Sequence, residues 1–258
     1  MAQQESMPFT CPKMLGGLLY LQRCTRPDLA FAIGKLARFT SRWTKLCSRA
    51  LLRLISYIFR TRFEALLFRG NQQDGSDDGS NPRLPRPLFL MCFVDADHAG
   101  EVASGHSTSG AVLFLVSDDG MQCPIAWRSK KQSATAHSTA EAEIIAASDG
   151  LRWLLLPMAG TLDSIMGSAL VSSVVLGDAM VAERCIKKGW SKALKHLRKC
   201  QRVSLCFLHD VFEDESNGIT FQHVSSEGNT SDAMTNALPK LTSVRRAYML
   251  GLRQASEI

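Results

Sequence analysis

Apolar residues recur at steps of three and four residues along the N-terminal part of the chain. The pattern covers residues 15–19, 29–37 and 48–61, and it is typical of amphipathic helices that bury one face. Residues 25–28 (TRPD) separate the first two runs, and the proline suits the first turn of a helix. The pattern therefore predicts a small all-helical segment, to which we assign residues 1–69.

Residues 70–87 (GNQQDGSDDGSNPRLPRP) interrupt this hydrophobic pattern. They are rich in Gly, Asp, Ser, Asn and Pro, so they can bury little apolar surface and predict a flexible linker. We assign residues 88–240 to a second domain and residues 241–258 to a C-terminal tail.

Beyond the linker, apolar residues come in short uninterrupted runs that are typical of buried strands. Strands are predicted at residues 87–94, 110–116, 123–127, 171–176 and 219–224, with a hairpin turn at 117–120. Helices are predicted near residues 139–156, 179–188, 192–212 and 232–238. This order predicts an α/β domain with a mixed five-stranded sheet flanked by helices, in which an antiparallel meander is followed by βα units.

Composition and charge are those of an ordinary globular protein. Hydrophobic residues make up 45% of the 258 residues, charged residues make up 21%, and the formal net charge is +6. The eight cysteines form no C-x-x-C pair, which argues against a zinc site and favours a reducing compartment. We see neither a signal peptide nor an apolar run near the ~20 residues of a membrane helix. We therefore expect an intracellular chain, cytoplasmic or nuclear, that is not secreted and has no membrane partner.

Four acidic residues fall at the ends of predicted elements, where they can form a metal site. Asp95 ends the first strand of the second domain, Glu143 lies in its first helix, Asp178 follows its fourth strand and Asp232 opens its last helix. Carboxylate oxygens suit Mg²⁺, and two divalent cations can stabilise both oxygens exchanged in phosphodiester hydrolysis. Asp178 and Asp232 also fit as helix N-caps, so the hypothesis of a two-ion Mg²⁺ site, with Mn²⁺ as a substitute, depends on the four residues together.

Two of these positions have neighbours that compete for the same role. Asp95 and Asp97 are two residues apart, so both point to one face of a strand and either fits as the ligand. Ser138 and Glu141 have the S-x-x-E form of a capping box, which gives Glu141 a structural role. Glu143 directly precedes an apolar stretch and is therefore the better candidate.

Basic residues recur at steps of three to four residues along the predicted helix region from 187 to 202. They are Lys187, Lys188, Lys192, Lys195, Lys199 and Arg202. One helical face carrying these charges can hold the phosphates of a nucleic acid, or it can be an ordinary solvated face. Lys130 and Lys131 are a second candidate for nucleic-acid binding.

Several segments resemble copia-type retrotransposon polyproteins. Residues 17–21 (GLLYL) and 25–28 (TRPD) are similar to the end of the reverse transcriptase domain. The ribonuclease H motifs are matched by residues 93–100 (FVDADHAG), 107–110 (STSG), 127–132 (WRSKKQ), 138–143 (STAEAE), 195–196 (KH) and 231–235 (SDAMT). The resemblance runs from about Met14 to Leu238, and its specificity comes from the serial order of the motifs.

The resemblance implies a ribonuclease H-like fold and a catalytic tetrad that holds two Mg²⁺ ions. Matched motif by motif, the tetrad consists of Asp95, Glu143, Asp178 and Asp232. The resemblance favours Asp95 over Asp97 as its first member. The implied activity is cleavage of the RNA strand of an RNA–DNA hybrid, with the hybrid and the remainder of a polyprotein as partners. His223 or His196 is a candidate for assisting product release, although a structural histidine is the better interpretation.

Three alternatives to an active ribonuclease H stay open. The domain can be a catalytically inactive ribonuclease H-like module that binds nucleic acid or has a structural role. It can be a degenerate fragment of an element without a cellular role. A nuclease of the same fold that acts on DNA, such as an integrase, fits less well because its usual carboxylate order lacks the fourth aspartate.

Overall fold

The computed structural model describes residues 10–67, 88–117, 122–166, 172–254 and 256. The predicted linker over residues 70–87 lies outside the described residues, and so does the predicted hairpin turn at 117–120 except for Ser117. Within the described ranges, no helix combines the length and the apolar character that crossing a membrane requires.

The N-terminal segment is helical apart from one short strand. Its elements are α1 (Thr10–Cys24), α2 (Ala30–Ala37), α3 (Lys45–Arg60) and β1 (Glu64–Leu66). Apolar faces of the three helices share one core, in which Trp43 is fully buried and donates from Nε1 to the Ser48 hydroxyl at 2.9 Å. The buried Arg26 donates two hydrogen bonds to Asp28, at 2.9 and 2.7 Å, so the TRPD motif forms a closed ion pair.

A five-stranded sheet forms the second part of the chain and confirms the predicted α/β class. Its strands are β2 (Leu88–Glu101), β3 (His106–Ser117), β4 (Gln122–Lys131), β5 (Ser173–Gly177) and β6 (Ile219–His223). The spatial order is β4-β3-β2-β5-β6. The first three strands are antiparallel, whereas β5 is parallel to β2 and β6 is parallel to β5. This mixed sheet has the ribonuclease H-like topology that the resemblance implied.

One face of the sheet is covered by a long helix that is interrupted by a π-helical turn. The elements are α4 (Thr139–Gly150), the π-turn Leu151–Leu155 and α5 (Leu156–Met166), so the helical region continues beyond the predicted end at residue 156. A Cβ on Gly150 would lie only 2.5 Å from Val94 Cγ1. Glycine at this position therefore lets α4 approach β2 closely, which brings the side chains of the two elements together.

The other face is shared by the two ends of the chain. Ala30 of α2, Phe93 and Val112 of the sheet, and Met234 and Leu250 near the C-terminus belong to one buried cluster. The segment predicted to be a tail forms α9 (Lys240–Met249) and β7 (Leu252–Gln254), and β7 pairs antiparallel with β1. The proposed domain boundaries stay a prediction, but the helical segment and the sheet pack directly against each other.

The predicted helix over residues 192–212 is wrong. After α6 (Met180–Lys188) ends at the left-handed Gly189, the chain forms only α7 (Leu197–Cys200) and then α8 (Leu205–Glu213). Arg202, between these two helices, has a φ of 57°, a conformation that an α-helix does not contain. The Ser204 hydroxyl then caps α8 by accepting from the Phe207 N–H.

Candidate active site

Three of the four predicted carboxylates meet at one edge of the sheet. Asp95, Glu143 and Asp178 each offer a carboxylate oxygen, and these oxygens all lie within 4.8 Å of one another. Asp95 lies on β2, and Asp178 directly follows β5, which runs parallel to β2 beside it. Glu143 reaches the same point from α4. We call Asp95, Glu143 and Asp178 the carboxylate group.

Two members of the carboxylate group are buried, and Asp178 is partly exposed. Asp95 is 8% exposed and Glu143 is 6% exposed. Burial, together with the negative charges of Asp95 and Asp178, raises the pKa of Glu143 to about 9. Burial also raises the pKa of Asp95 to about 6, although a hydrogen bond from the Thr235 hydroxyl opposes the shift. Buried like charges at this distance are costly unless protons or cations neutralise them. The donor set therefore fits a hard divalent cation such as Mg²⁺.

The fourth predicted carboxylate, Asp232, lies outside this group. Its Oδ2 accepts from Arg246 Nη2 at 3.3 Å, and its Oδ1 accepts from Asn236 Nδ2 at 3.1 Å. Asp232 is still close enough for its charge to raise the pKa of Asp95. The predicted tetrad is therefore present as three converging carboxylates with the fourth beside them in an ion pair.

The alternative roles as helix caps are wrong for Asp178 and Asp232. The N-cap of α6 is Ala179, which makes no side-chain cap, and the N-cap of the 3-10 turn Thr230–Met234 is Asn229. Asp178 instead accepts a hydrogen bond from the Ser226 hydroxyl at 2.7 Å. The predicted short helix at 232–238 is replaced by this 3-10 turn.

Asp97, the competitor of Asp95, points elsewhere. The pairing register of β2 with β3 shifts between Asp97 and Glu101, so the chain leaves regular strand geometry directly after Asp97. The Asp97 carboxylate instead packs against Gly100, where an added Cβ would overlap it. Burial raises the pKa of Asp97, and the positive charge of Lys35 opposes that shift.

Comparisons with known proteins find retrotransposon polyproteins and a secreted effector among the similar sequences. The retrovirus-related Pol polyprotein from transposon TNT 1-94 of Nicotiana tabacum is 29% identical over 230 residues, which is 88% of this chain and 15% of that protein. The Pol polyprotein from transposon RE1 of Arabidopsis thaliana is 25% identical over 245 residues, which is 93% of this chain and 14% of that protein. Secreted RxLR effector protein 161 of Plasmopara viticola is 36% identical over 143 residues, which is 54% of this chain and 87% of that protein. Over most of its length, the chain is similar to retrotransposon Pol polyproteins.

The chain spans about 15% of the length of the Nicotiana tabacum polyprotein. No family model matches the chain. Among solved structures, LC11-RNase H1 isolated from compost is similar with a TM-score of 0.38 and 19% identity, covering 57% of this chain and 93% of that one. The PFV RNase H domain has a TM-score of 0.36 and 16% identity, covering 63% of this chain and 96% of that one. Both scores are low, so the fold is assigned from the strand order.

Glu141 has the structural role predicted for it. Its N–H donates to the Ser138 hydroxyl at 3.2 Å, and its carboxylate accepts from the His137 N–H at 3.0 Å. The other carboxylate oxygen lies 2.9 Å from His196 Nε2. Glu141 therefore caps α4 and ties it to the segment before α7, while Glu143, two residues on, joins the carboxylate group.

Because Ser138 caps the helix that carries Glu143, replacing it with Ala is expected to destabilise the protein by about 1 kcal/mol. The measurement is the midpoint of urea unfolding. Ser56 is an exposed serine inside α3 that donates only to the Leu52 carbonyl of its own helix. The Ser56→Ala control is expected to leave stability within about 0.5 kcal/mol of the wild type, and equal losses in both variants would refute the capping role.

The predicted nucleic-acid-binding lysines are mostly exposed, but they do not share one helical face. Lys188 ends α6, Lys192 and Lys195 lie in the irregular segment after it, and Lys199 lies in α7. The Lys188 ammonium stands 4.2 Å from the Trp190 ring centre. On β4, Lys130 is exposed.

Lys131, the neighbouring candidate on β4, is already engaged. Its ammonium lies 2.9 Å from a Glu101 carboxylate oxygen and donates to the Ser104 hydroxyl at 3.0 Å. His223, the candidate for product release, ends β6, and its Nε2 lies 3.2 Å from the Asp178 carbonyl oxygen. It therefore stands beside the carboxylate group.

Three residues at the site were missed from sequence. Ser226 contacts Asp178, Thr235 contacts Asp95, and Arg246 contacts Asp232. Thr235 belongs to the SDAMT motif and was within reach of sequence reasoning. Ser226 and Arg246 carry no signal, because nothing in their local pattern shows which distant residue they meet.

Proposed function

We propose that the chain is a ribonuclease H that hydrolyses the RNA strand of RNA–DNA hybrids, as part of a retrotransposon-derived Pol protein. The observation that carries the proposal is the convergence of Asp95, Glu143 and Asp178, which come from two parallel strands and one helix. Similarity to the retrovirus-related Pol polyprotein from Nicotiana tabacum supports the same class of enzyme. Cleavage is proposed to leave a 5′-phosphate and a 3′-hydroxyl.

The residues proposed to hold two Mg²⁺ ions, or Mn²⁺ in their place, are the carboxylate group and Asp232. Bound divalent cations supply a nucleophilic water and stabilise the charge on the leaving oxygen. The chain's own residues orient the carboxylate ligands. The Thr235 hydroxyl fixes one Asp95 oxygen, and the Ser226 hydroxyl fixes one Asp178 oxygen, as outer-shell partners of metal ligands do.

Exposed lysines are proposed to contact the phosphates of the hybrid. Such contacts position a duplex without reading its sequence. The candidates are Lys130, Lys188, Lys192, Lys195 and Lys199, whereas Lys131 contributes less because Glu101 holds it. His223 is proposed to assist product release from its place beside Asp178.

The test uses the purified full chain with three end-labelled substrates, an RNA–DNA hybrid, a DNA duplex and an RNA duplex of the same sequence. We expect cleavage of only the RNA strand of the hybrid, in Mg²⁺ or Mn²⁺ and not in EDTA. Cleavage of the DNA duplex would instead favour an integrase-type nuclease. The absence of cleavage from all three substrates in either metal would overturn the proposal.

A second candidate function is a catalytically inactive module that binds nucleic acid. The ion pair that keeps Asp232 on Arg246, outside the carboxylate group, favours it. This alternative predicts that the hybrid binds without cleavage and that its affinity falls steeply with salt, because phosphate contacts release counterions. A gel-shift titration at two salt concentrations, beside the cleavage assay, distinguishes the two functions.

A further inference from the structure

Arg246 connects the C-terminal helix to the candidate active site. It lies on α9, in the segment that the sequence pattern predicted to be a tail, and it is 5% exposed. Its Nη2 donates to the Ser226 carbonyl at 2.7 Å and to Asp232 Oδ2 at 3.3 Å, and its Nη1 donates to the Glu227 carbonyl at 2.6 Å. One guanidinium therefore contacts both the fourth carboxylate and the turn before it.

The turn held by Arg246 also touches the carboxylate group. The Ser226 hydroxyl donates to Asp178, and the Asn229 side chain donates to the Val94 carbonyl at 2.9 Å, directly before Asp95. Asp178 and Asp95 thus each receive support from the stretch that the guanidinium fixes. Lysine cannot reproduce this set of contacts, because only a planar guanidinium presents several N–H donors in a fixed fork.

The burial of Arg246 indicates that specific partners compensate its positive charge. Burying a cation is costly unless it is paired and hydrogen-bonded. Its Nε is buried without a partner in the described part of the chain, so the terminal nitrogens must compensate for the desolvation of the whole group. Asp232 is the only carboxylate that the described contacts place on this guanidinium.

We propose that Arg246 is the internal counter-ion of Asp232 and makes the two cation positions of the site unequal. This inference rests on the proposed metal-dependent function. The carboxylate group, free of any described arginine or lysine ion pair, binds the first divalent cation. Asp232 contributes to a second, weaker position only by exchanging Arg246 for the cation. Arg246 is thus a positioning residue that sets the concentration of metal at which the site is filled.

The experiment is a titration of the full chain with Mn²⁺ alone, in which electron paramagnetic resonance measures the concentration of free Mn²⁺ at each step. We expect two classes of site in the wild type. Arg246→Gln is expected to bind the second ion about tenfold more tightly, since it removes a positive charge that competes for Asp232, and to leave the first class within about threefold. Arg245→Gln, on the same helix and exposed, is the control and is expected to match the wild type.

A second variant keeps the inference testable if Arg246→Gln does not fold. Asp232→Asn removes the same ion pair by neutralising the carboxylate. It is expected to abolish the weak class of Mn²⁺ site and to leave the tight class unchanged. Equal second-site affinity in wild type and Arg246→Gln, or loss of the tight class in Asp232→Asn, would overturn the inference even if the hybrid is cleaved. A wild type that binds no Mn²⁺ would overturn both this inference and the proposed function.

Discussion

Replacing Asp95 with Asn is expected to reduce the rate of hybrid cleavage on the order of 1,000-fold. Mutating a residue that only hydrogen-bonds to a metal ligand typically reduces activity roughly 10- to 100-fold. Asp95 is a buried member of the carboxylate group and accepts from the Thr235 hydroxyl. Asn keeps the shape of the side chain and removes the charge that a divalent cation requires. The measurement is the single-turnover cleavage rate at saturating hybrid and Mg²⁺, with hybrid affinity measured separately.

The matched control is Asp97→Asn, two residues along the same strand. Because Asp97 is the last residue of β2 before its register with β3 shifts, and its carboxylate packs against Gly100, we expect its variant to cleave within about threefold of the wild-type rate. The opposite ranking, with Asp97→Asn inactive and Asp95→Asn active, would show that Asp97 and not Asp95 is the first ligand.

The second large effect concerns stability without metal. Glu143→Gln is expected to stabilise the protein in EDTA at pH 8 by roughly 5 kcal/mol, since pH 8 lies about 3.5 units above the ordinary pKa of 4.5 and each unit is worth about 1.4 kcal/mol. The folded-state pKa of Glu143 is raised from 4.5 to about 9. Folding therefore binds a proton, and the metal-free wild type loses stability as the pH rises from about 4.5 to 9. The neutral glutamine side chain of the variant is free of this pH dependence.

Urea unfolding between pH 5 and 9 measures this effect. The advantage of Glu143→Gln over the wild type is expected to grow with pH and to shrink when Mg²⁺ is added, because the cation stabilises the folded wild type. Glu213→Gln, on the exposed end of α8, serves as the control and is expected to stay within about 0.5 kcal/mol of the wild type at every pH. A Glu143→Gln variant less stable than wild type in EDTA at pH 8 would contradict the electrostatic account.

The sheet was predictable because each strand has a clear local signal. The run ending at Asp95 and the shorter runs that follow it are apolar enough to be buried on both faces, and their order along the chain leaves few topologies. The position of Glu143 was predictable for a similar reason. Ser138 and Glu141 account for the helix start, which leaves the next glutamate without a structural explanation.

The segment from 189 to 204 was not predictable from the spacing of its charges. Lysines at steps of three and four are compatible with a helix, but the left-handed Gly189 and the φ of 57° at Arg202 break it. An arginine rarely adopts that conformation, so no local signal marks the break. The result is that the basic residues are spread over a turn and a short helix instead of one face.

The ion pair of Asp232 with Arg246 was also invisible in the sequence. The resemblance implied a tetrad of carboxylates, whereas the structure separates three from the fourth. Arg246 lies in a polar stretch that suggests solvent exposure, and its burial depends on the packing of α9 and β7 against the N-terminal segment. Long-range packing of this kind leaves no periodic trace in either partner.

The central claim is that Asp95, Glu143 and Asp178 together hold a divalent cation. The most direct measurement is the anomalous difference map of a crystal of the chain grown with Mn²⁺. We expect a peak within roughly 2–2.5 Å of carboxylate oxygens from all three residues. A fully ordered site without a peak there, or a peak held by Asp97 and Glu101 instead, would contradict the account.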